Sequence, residues 1–374
     1  MIHILYITIL SFLIIVLINS VINFIYWKNK KDNSEIKEGL SILIPARNEE
    51  DSIEKCINSI YFDKNFIKEV LVFNDSSTDS TKNILEGLSK KYTKLKVING
   101  TERPKGWSGK SFACFQLSKY AKSNLILFID ADTELNKDGI DSLVNFIINN
   151  KYTMVSAWPK IETKTIIEKI LMPLLNFIVF TSFPTFLSKN SNRYSLGLAH
   201  GACIIFYKKT YDKLTGHNLV KNSLFEDTDL AKKWRENGEL SYCINGMNII
   251  KVRMYDNFSK IWTGFEKNTY PAFKNNFYFF TFHLLNLLIF NLPVIAVPLY
   301  LLGIINNLII LICGIIIIFI RLIFSLKFKH PWWSFLFHSF AETIFFFISI
   351  SSFLKYNFMG GIEWKDRKYG KQIK

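Results

Sequence analysis

Cysteine is scarce in this chain, and its copies form no paired pattern. The five cysteines are Cys56, Cys114, Cys203, Cys243 and Cys313. They are odd in number, widely separated and free of any C-x-x-C spacing, which argues against a disulfide framework and a structural zinc site and indicates a reducing compartment. The six histidines are equally dispersed, so they offer no metal-ligand spacing.

The chain also lacks the glycine motifs that commonly hold nucleotides. No G-x-G-x-x-G follows the first predicted strand, and no G-x-x-x-x-G-K-[ST] occurs, which excludes a dinucleotide fingerprint and a Walker loop. A bound nucleotide must therefore be held by carboxylates and a metal. Lys and Arg (46) outnumber Asp and Glu (31), but no basic helix or aromatic ladder accompanies the excess, so nucleic acid is not an expected partner.

Charge is missing from the first 26 residues, which are followed by Trp27, Lys28, Lys30 and Lys31. Since no basic segment precedes this apolar run and no small-residue cleavage site follows it, residues 1–27 are predicted to be a retained transmembrane anchor. The basic cluster on its carboxyl side predicts a cell-membrane protein whose following domain is cytoplasmic.

Three further apolar stretches, at about 277–301, 304–324 and 332–354, predict two to three transmembrane or re-entrant helices within 277–355. Three full crossings would leave the basic tail, 356–374, outside, whereas the positive-inside rule favours the cytoplasm. The number of crossings therefore stays open. The tail's cations suit lipid headgroups or the phosphates of a substrate.

The most informative stretch of the chain is Leu125–Leu135, LILFIDADTEL. Its apolar half has no helical spacing and predicts a strand buried on both faces, which delivers Asp130 and Asp132 to its carboxyl end. Paired carboxylates of this kind suit Mg²⁺ or Mn²⁺ together with substrate phosphates. The alternative is an acidic turn that caps the next helix.

Two more strand-and-helix units precede that stretch. Leu40–Ile44 is an apolar run that stops at Pro45, and Glu69–Phe73 is a second run that ends before Asp75. Each is followed by a polar turn and then by helical spacing of apolar residues. This alternation predicts an α/β domain with a mainly parallel sheet, whose strand ends meet in one polar crevice.

The segment Arg103–Cys114, RPKGWSGKSFAC, lies between the second and third of these strand ends. It is predicted either to fold over a donor and offer Lys105 or Lys110 to a phosphate, or to be a plain turn in which Ser108 caps a helix.

Taken in order, LSILIPARNEEDSIEKCI, EVLVFNDSSTDST and LFIDADTEL resemble the GT-A domain of family 2 inverting glycosyltransferases over residues 38–255. GKSFAC and the late WKDRKYG resemble its membrane-bound branch, which glycosylates carotenoid, hopanoid or sphingoid lipids. The resemblance implies a Rossmann-like α/β fold, a nucleotide-sugar donor, a lipid acceptor and a divalent metal, Mg²⁺ or Mn²⁺.

The resemblance also assigns roles to particular residues. It implies that the metal is held by Asp132 and that Asp227 is the general base. Donor binding is implied for Pro45, Glu49, Asp75, Lys110 and Asp130. Acceptor or diphosphate contacts are implied for Gly201, His217, Glu226, Trp262, Trp364 and Arg367.

An inverting transfer requires one carboxylate to take the proton of an acceptor hydroxyl. Asp227 in FEDTDL is the candidate, although Asp at a helix start is also a good N-cap and Asp229 is a second candidate. Where processive members carry Gln-x-x-Arg-Trp, this chain reads KIWTG at 260–264. We therefore expect a single transfer.

The apolar segment 170–188 contains Pro173 and Pro184 and is predicted to be an interfacial helix, with a buried core helix as the alternative. The expected function is transfer of one sugar, from a UDP-linked donor, to the hydroxyl or carboxyl of a membrane lipid. Its rivals are a polyprenyl-phosphate glycosyltransferase and a catalytically idle membrane scaffold.

Overall fold

The computed structural model describes residues 2–28, 34–273, 275–364 and 367–369. These residues form two compact units that alternate along the chain. We call residues 28–162 with 187–254 the sheet unit, and residues 1–27, 163–186 and 255–374 the helical unit.

The helices, in chain order, are α1 (Ile2–Tyr26), α2 (Ile53–Asn58), α3 (Thr81–Lys91), α4 (Gly109–Tyr120), α5 (Gly139–Ile148), α6 (Ile166–Leu171), α7 (Pro173–Ser182), α8 (Thr185–Ser188), α9 (Lys208–Lys213), α10 (Glu226–Glu236), α11 (Phe258–Thr269), α12 (Asn276–Asn286), α13 (Leu292–Leu301), α14 (Leu308–Lys327) and α15 (His338–Phe358). Short 3₁₀ turns cover Tyr194–Leu196, Gly216–Val220 and Trp332–Phe337, and a π-helical turn, Leu287–Asn291, joins α12 to α13.

The strands are β1 (Leu40–Ala46), β2 (Ile67–Asn74), β3 (Leu95–Asn99), β4 (Leu125–Ile129), β5 (Thr133–Leu135), β6 (Met154–Trp158), β7 (Lys160–Ile161), β8 (Cys203–Tyr207), β9 (Ser241–Asn245), β10 (Ile250–Val252), β11 (Ile362–Trp364) and β12 (Arg367–Tyr369).

The sheet unit is built on a seven-stranded sheet in the order β3-β2-β1-β4-β8-β6-β9. Its strands pair in parallel except for β8, which runs antiparallel to both β4 and β6. The predicted α/β architecture with a mainly parallel sheet is confirmed. An antiparallel strand at this position places the residues before β8 at the same sheet edge as the carboxyl ends of β1 and β4.

Aromatic residues fill much of the core on one face of this sheet. Phe128 on β4 and Phe206 on β8 meet edge to face, with ring centroids 5.8 Å apart. Trp234 on α10 is fully buried against Phe206, and its indole N–H donates to Thr153 Oγ1 at 2.8 Å. The buried indole thus has its polar partner, and helix α10 is fixed on the sheet.

The helical unit contains, among the residues described, four helical stretches long and apolar enough to cross a membrane. They are His3–Tyr26, Asn276–Leu301, Leu308–Lys327 and Trp332–Phe358. Their length and composition indicate membrane association.

Helix α1 is tied to the apolar segment that follows α6. The Asn23 side-chain amide donates to the carbonyls of Phe180 (3.0 Å) and Phe183 (2.8 Å), and its Oδ1 accepts from the backbone and hydroxyl of Thr185. The segment 170–188 is divided among α6, α7 and α8, with Pro173 in the first turn of α7, where a missing N–H costs little.

Candidate active site

The site is built on the loops that follow β1 and β2, which hold one another together. Arg47 donates to the Asp75 carbonyl at 2.8 Å, and the Asp75 backbone N–H donates to the Ala46 carbonyl at 2.8 Å. The Glu49 backbone N–H donates to Thr81 Oγ1 at 2.8 Å. These bonds fix Glu49 and the buried Asp75 at one sheet edge, and their predicted contacts with the donor remain predictions.

A small pocket with several charged side chains in its wall opens in the sheet unit. Seven of the residues singled out from the sequence line it, namely Pro45, Lys110, Asp130, Gly201, His217, Glu226 and Asp227. Sequence reasoning missed three others, Cys114, Phe128 and Ile204. The signal for Cys114 was present, because it lies four residues after Lys110 on α4 and therefore on the same helix face.

Lys110 is the central cation of this pocket. Its ammonium lies 2.7 Å from Asp130 Oδ1, 2.9 Å from Asp130 Oδ2 and 3.1 Å from Glu226 Oε1. Burial alone would lower the pKa of Lys110, but the two carboxylates outweigh it and raise the pKa well above its usual value. Lys110 therefore stays charged. The alternative in which Ser108 caps α4 is confirmed, since Ser108 accepts from the Ser111 N–H. The contact of this segment with a phosphate stays a prediction.

Asp227, in the first turn of α10, is held by backbone donors on both oxygens. The Gly201 N–H donates to Oδ2 at 2.7 Å, and the Thr228 N–H donates to Oδ1 at 2.6 Å. Burial, reinforced by the neighbouring Glu226, raises the pKa of Asp227 to about 7, although Lys110 and the two N–H groups oppose the shift. A carboxyl with this pKa can accept and release a proton near neutrality.

Gly201 lies in the turn before β8, where space is scarce. A Cβ added there would stand 2.6 Å from Lys110 Nζ and 3.4 Å from Asp227 Oδ2. The absence of a side chain thus lets backbone approach the charged groups directly. Gly201 thus lines the pocket, and its implied contact with the acceptor or diphosphate stays a prediction.

Two histidines near the pocket, the half-buried His200 and the buried His217, are neutral. Burial lowers the pKa of both His200 and His217 to about 3. The Tyr211 hydroxyl accepts the His217 backbone N–H at 3.2 Å and lies 2.7 Å from Nδ1 of the ring, which holds the imidazole in place. Neither ring competes with Asp227 as a base that titrates near neutrality.

The carboxylates that follow β4 are the candidate metal ligands. Within the described ranges, no three His, Cys, Asp or Glu side chains converge into a complete metal cage. Asp130 already pairs with Lys110, and Asp132 adds a second carboxylate after the same strand. One or two carboxylates fit Mg²⁺ or Mn²⁺ when substrate phosphates and water supply the remaining oxygens.

Four other sequence candidates fall elsewhere. Asp229 accepts from the Ser223 hydroxyl at 2.8 Å, which gives it a loop-holding contact. Trp262 belongs to α11 of the helical unit, where its indole N–H donates to Glu266. The side chains of Trp364 and Arg367 lie outside the described part of the chain, so their predicted contacts remain predictions.

Residues 41–215 match the family described as Glycosyl transferase family 2. The chain is 28% identical over 247 residues to the 4,4'-diaponeurosporenoate glycosyltransferase of Staphylococcus haemolyticus, a match that covers 64% of this chain and 63% of that protein. The Staphylococcus aureus enzyme of the same name is 28% identical over 236 residues, with 62% and 60% covered. The chain thus spans less than two thirds of the length of these curated relatives.

Among solved structures, a mannosyltransferase from Pyrobaculum calidifontis in complex with GDP-Man and Mn²⁺ has a similar fold. The TM-score is 0.57 at 15% identity, and the superposition covers 92% of this chain and 99% of that one. The predicted GT-A-like domain flanked by apolar helices is therefore confirmed. The sequence matches, together with the acidic motifs in their order, place residues 41–215 of the chain in glycosyltransferase family 2.

Proposed function

We propose that this protein transfers one sugar, with inversion, from a nucleotide-sugar donor to the hydroxyl of a membrane lipid. A UDP-sugar is the proposed donor. The family supports sugar transfer, and the apolar helices support an acceptor that resides in the bilayer. The basic residues after α1 support a multi-pass cell-membrane protein with the sheet unit on the cytoplasmic side.

The observation that carries this proposal is the environment of Asp227. Two backbone N–H groups fix its carboxyl, and burial brings its pKa to about 7. In the proposed reaction Asp227 takes the proton of the acceptor hydroxyl as that oxygen attacks the anomeric carbon. A base poised near the working pH is suited to this step.

The raised pKa also bears on the kind of acceptor. A carboxyl or phosphate acceptor is already ionised at neutral pH and needs no base to become a nucleophile. A hydroxyl does need one. The site therefore favours a hydroxyl-bearing lipid over a carotenoid acid or a polyprenyl phosphate, and the complete set of charged groups argues against an idle scaffold.

The departing nucleoside diphosphate is negatively charged, so the reaction also requires positive charge near it. Lys110 is proposed to turn its ammonium from Asp130 and Glu226 toward the donor diphosphate. Asp132 would hold the divalent cation, which when bound supplies charge to the departing diphosphate. Glu49 and Asp75 are proposed to contact the ribose and base.

The test is incorporation of label from UDP-glucose into organic-extractable lipid by membranes that contain the full chain. The Asp227→Asn variant and a chelator-treated sample are the controls. We expect label only in the intact, metal-replete sample, in a product stable to mild acid, as expected for a glycoside and not for a sugar phosphate. Label that persists in Asp227→Asn would contradict the assignment of the base, and an acid-labile product would favour the polyprenyl-phosphate alternative.

A further inference from the structure

The helical unit contains a second, small cavity, on the scale of a single hydroxyl group or water molecule. Its polar wall consists of His283 and Asn286 on α12, Asn291 at the end of the π-helical turn, and Glu342 on α15. Phe345 and Phe346 form part of its apolar wall. These residues belong to segments apolar enough to span a membrane, where ionisable and amide groups are rare and usually functional.

Three polar atoms of this cavity have no hydrogen-bond partner among the described residues. They are His283 Nε2, Asn291 Oδ1 and Glu342 Oε1. The residues that carry them are 4%, 1% and 4% exposed. Because burial without a partner is costly, three such atoms around one cavity point to a bound group that supplies the missing bonds.

The chemistry of that group follows from the atoms still available. The Asn286 amide donates to Glu342 Oε2 at 3.1 Å, and the Asn291 amide donates to Thr343 Oγ1 at 3.3 Å. Two oxygen acceptors and one imidazole nitrogen remain. An O–H group satisfies this set, since it can donate to Glu342 or Asn291 and accept from His283.

Charge disfavours ionic ligands in this cavity. An anion would place its oxygens against Oε1 of Glu342 and Oδ1 of Asn291, which are both acceptors. A cation is not needed, because the buried guanidinium of Arg321 attracts Glu342 and offsets its charge. The ligand that fits is therefore neutral.

We propose that this cavity binds the hydroxyl group of a membrane lipid, whose hydrocarbon chain lies against Phe345 and Phe346. The site is in the helical unit and is distinct from the pocket of the sheet unit. Binding there does not depend on sugar transfer, so the two proposals fail separately. Water has the same O–H chemistry, and the experiment below separates it from a lipid hydroxyl.

The test uses the full-length protein in detergent micelles and an oleyl alcohol analogue that carries a photoreactive diazirine in its chain. After irradiation, labelled peptides are mapped by mass spectrometry. We expect label within 283–291 and 342–346. Excess oleyl alcohol should suppress it, whereas oleyl methyl ether, which has the same chain but no donor, should compete about tenfold more weakly or worse because a hydrogen bond to a carboxyl is lost.

Two variants sharpen the test. Glu342→Met removes one of the two acceptors and should reduce the preference for alcohol over ether. Ser349→Ala is the matched control, because Ser349 is buried on the same helix and its hydroxyl donates to the Phe345 carbonyl. It should keep the preference. The wild-type comparison needs no variant to fold: equal competition by ether and alcohol, or label outside these segments, would overturn the proposal and leave water as the occupant.

Discussion

The two units treat buried polar groups in opposite ways. In the pocket of the sheet unit, Lys110 pairs with Asp130 and Glu226, and both oxygens of Asp227 accept backbone N–H groups. In the helical unit, His283 and Glu342 keep atoms that meet no partner within the described residues. The first pocket is preorganised before substrate arrives, because its charged groups already contact one another or backbone donors. The second contains unsatisfied hydrogen-bonding capacity, which only a bound group can use.

The largest expected effect comes from removing the proton acceptor of the sheet unit. Asp227→Asn keeps the shape of the side chain but cannot take a proton, so transfer should fall by about 10²–10⁴-fold while donor affinity changes little. Single-turnover rates and donor titrations measure the two quantities. Asp229→Asn discriminates between the two acids, because a comparable loss in that variant would make Asp229 the base.

The next prediction concerns the ion pairs that Lys110 forms with the two carboxylates. Lys110→Met leaves Asp130 and Glu226 without their shared cation, and kcat/KM should fall by about 10²–10³-fold, as when another preorganised electrostatic group is lost. The pKa of Asp227 should also rise, because Lys110 normally lowers it. Lys82→Met, an exposed lysine on α3, is the control. A pH profile left unmoved by Lys110→Met would contradict the coupling.

A smaller effect is expected from pH alone. Folding raises the pKa of Asp227 to about 7, and the base acts only when deprotonated. Activity should therefore be full above this pKa and decline by about tenfold per pH unit below it. The pH dependence of kcat/KM measures this limb. A limb near pH 4 would mean that Asp227 has the ordinary pKa of an exposed carboxyl.

The smallest effect concerns Arg321 and Glu342, two buried ionisable residues of the helical unit. Arg321→Met and Glu342→Gln should each destabilise the protein, because each leaves the other group buried without its counter-charge. The double variant should recover about 0.5–3 kcal/mol relative to the sum of the single changes. Thermal unfolding of the three variants in one detergent gives the coupling. Strict additivity would show that the two side chains do not interact.

The sequence predicted the parts of the site that depend on local pattern. An apolar run that ends in acids placed Asp130 correctly, directly after β4. The predicted stop at Pro45 was one residue early, because β1 continues to Ala46. The choice of Asp227 came from the family resemblance of the ordered motifs. Contacts between residues far apart in the sequence could not be predicted from local pattern. The contact between Lys110 and Glu226 joins residues 116 positions apart (226 minus 110), and no periodicity encodes which cation meets which carboxylate.

The antiparallel direction of β8 could not be predicted from the sequence, for a related reason. LGLAHGACIIF has the same apolar character in either strand direction, so the sequence predicts a strand without its orientation. In the structure, β8 begins at Cys203, after a turn that contains Gly201. The hydrogen-bond register with β4 and β6 decides the direction, and that register depends on tertiary packing.

The interleaving of the two units has a consequence for how the protein is made. The chain passes between them after residues 27, 162, 186 and 254. During synthesis, the hydrogen bonds from the Asn23 amide can form only after Phe180 and Phe183 have been synthesised, because these residues supply the carbonyls. A recombinant fragment over 38–255 would contain the apolar segment 170–188 but not α1. That segment would then be exposed to water. A water-soluble fragment would instead require residues 163–186 to be replaced by a short polar linker.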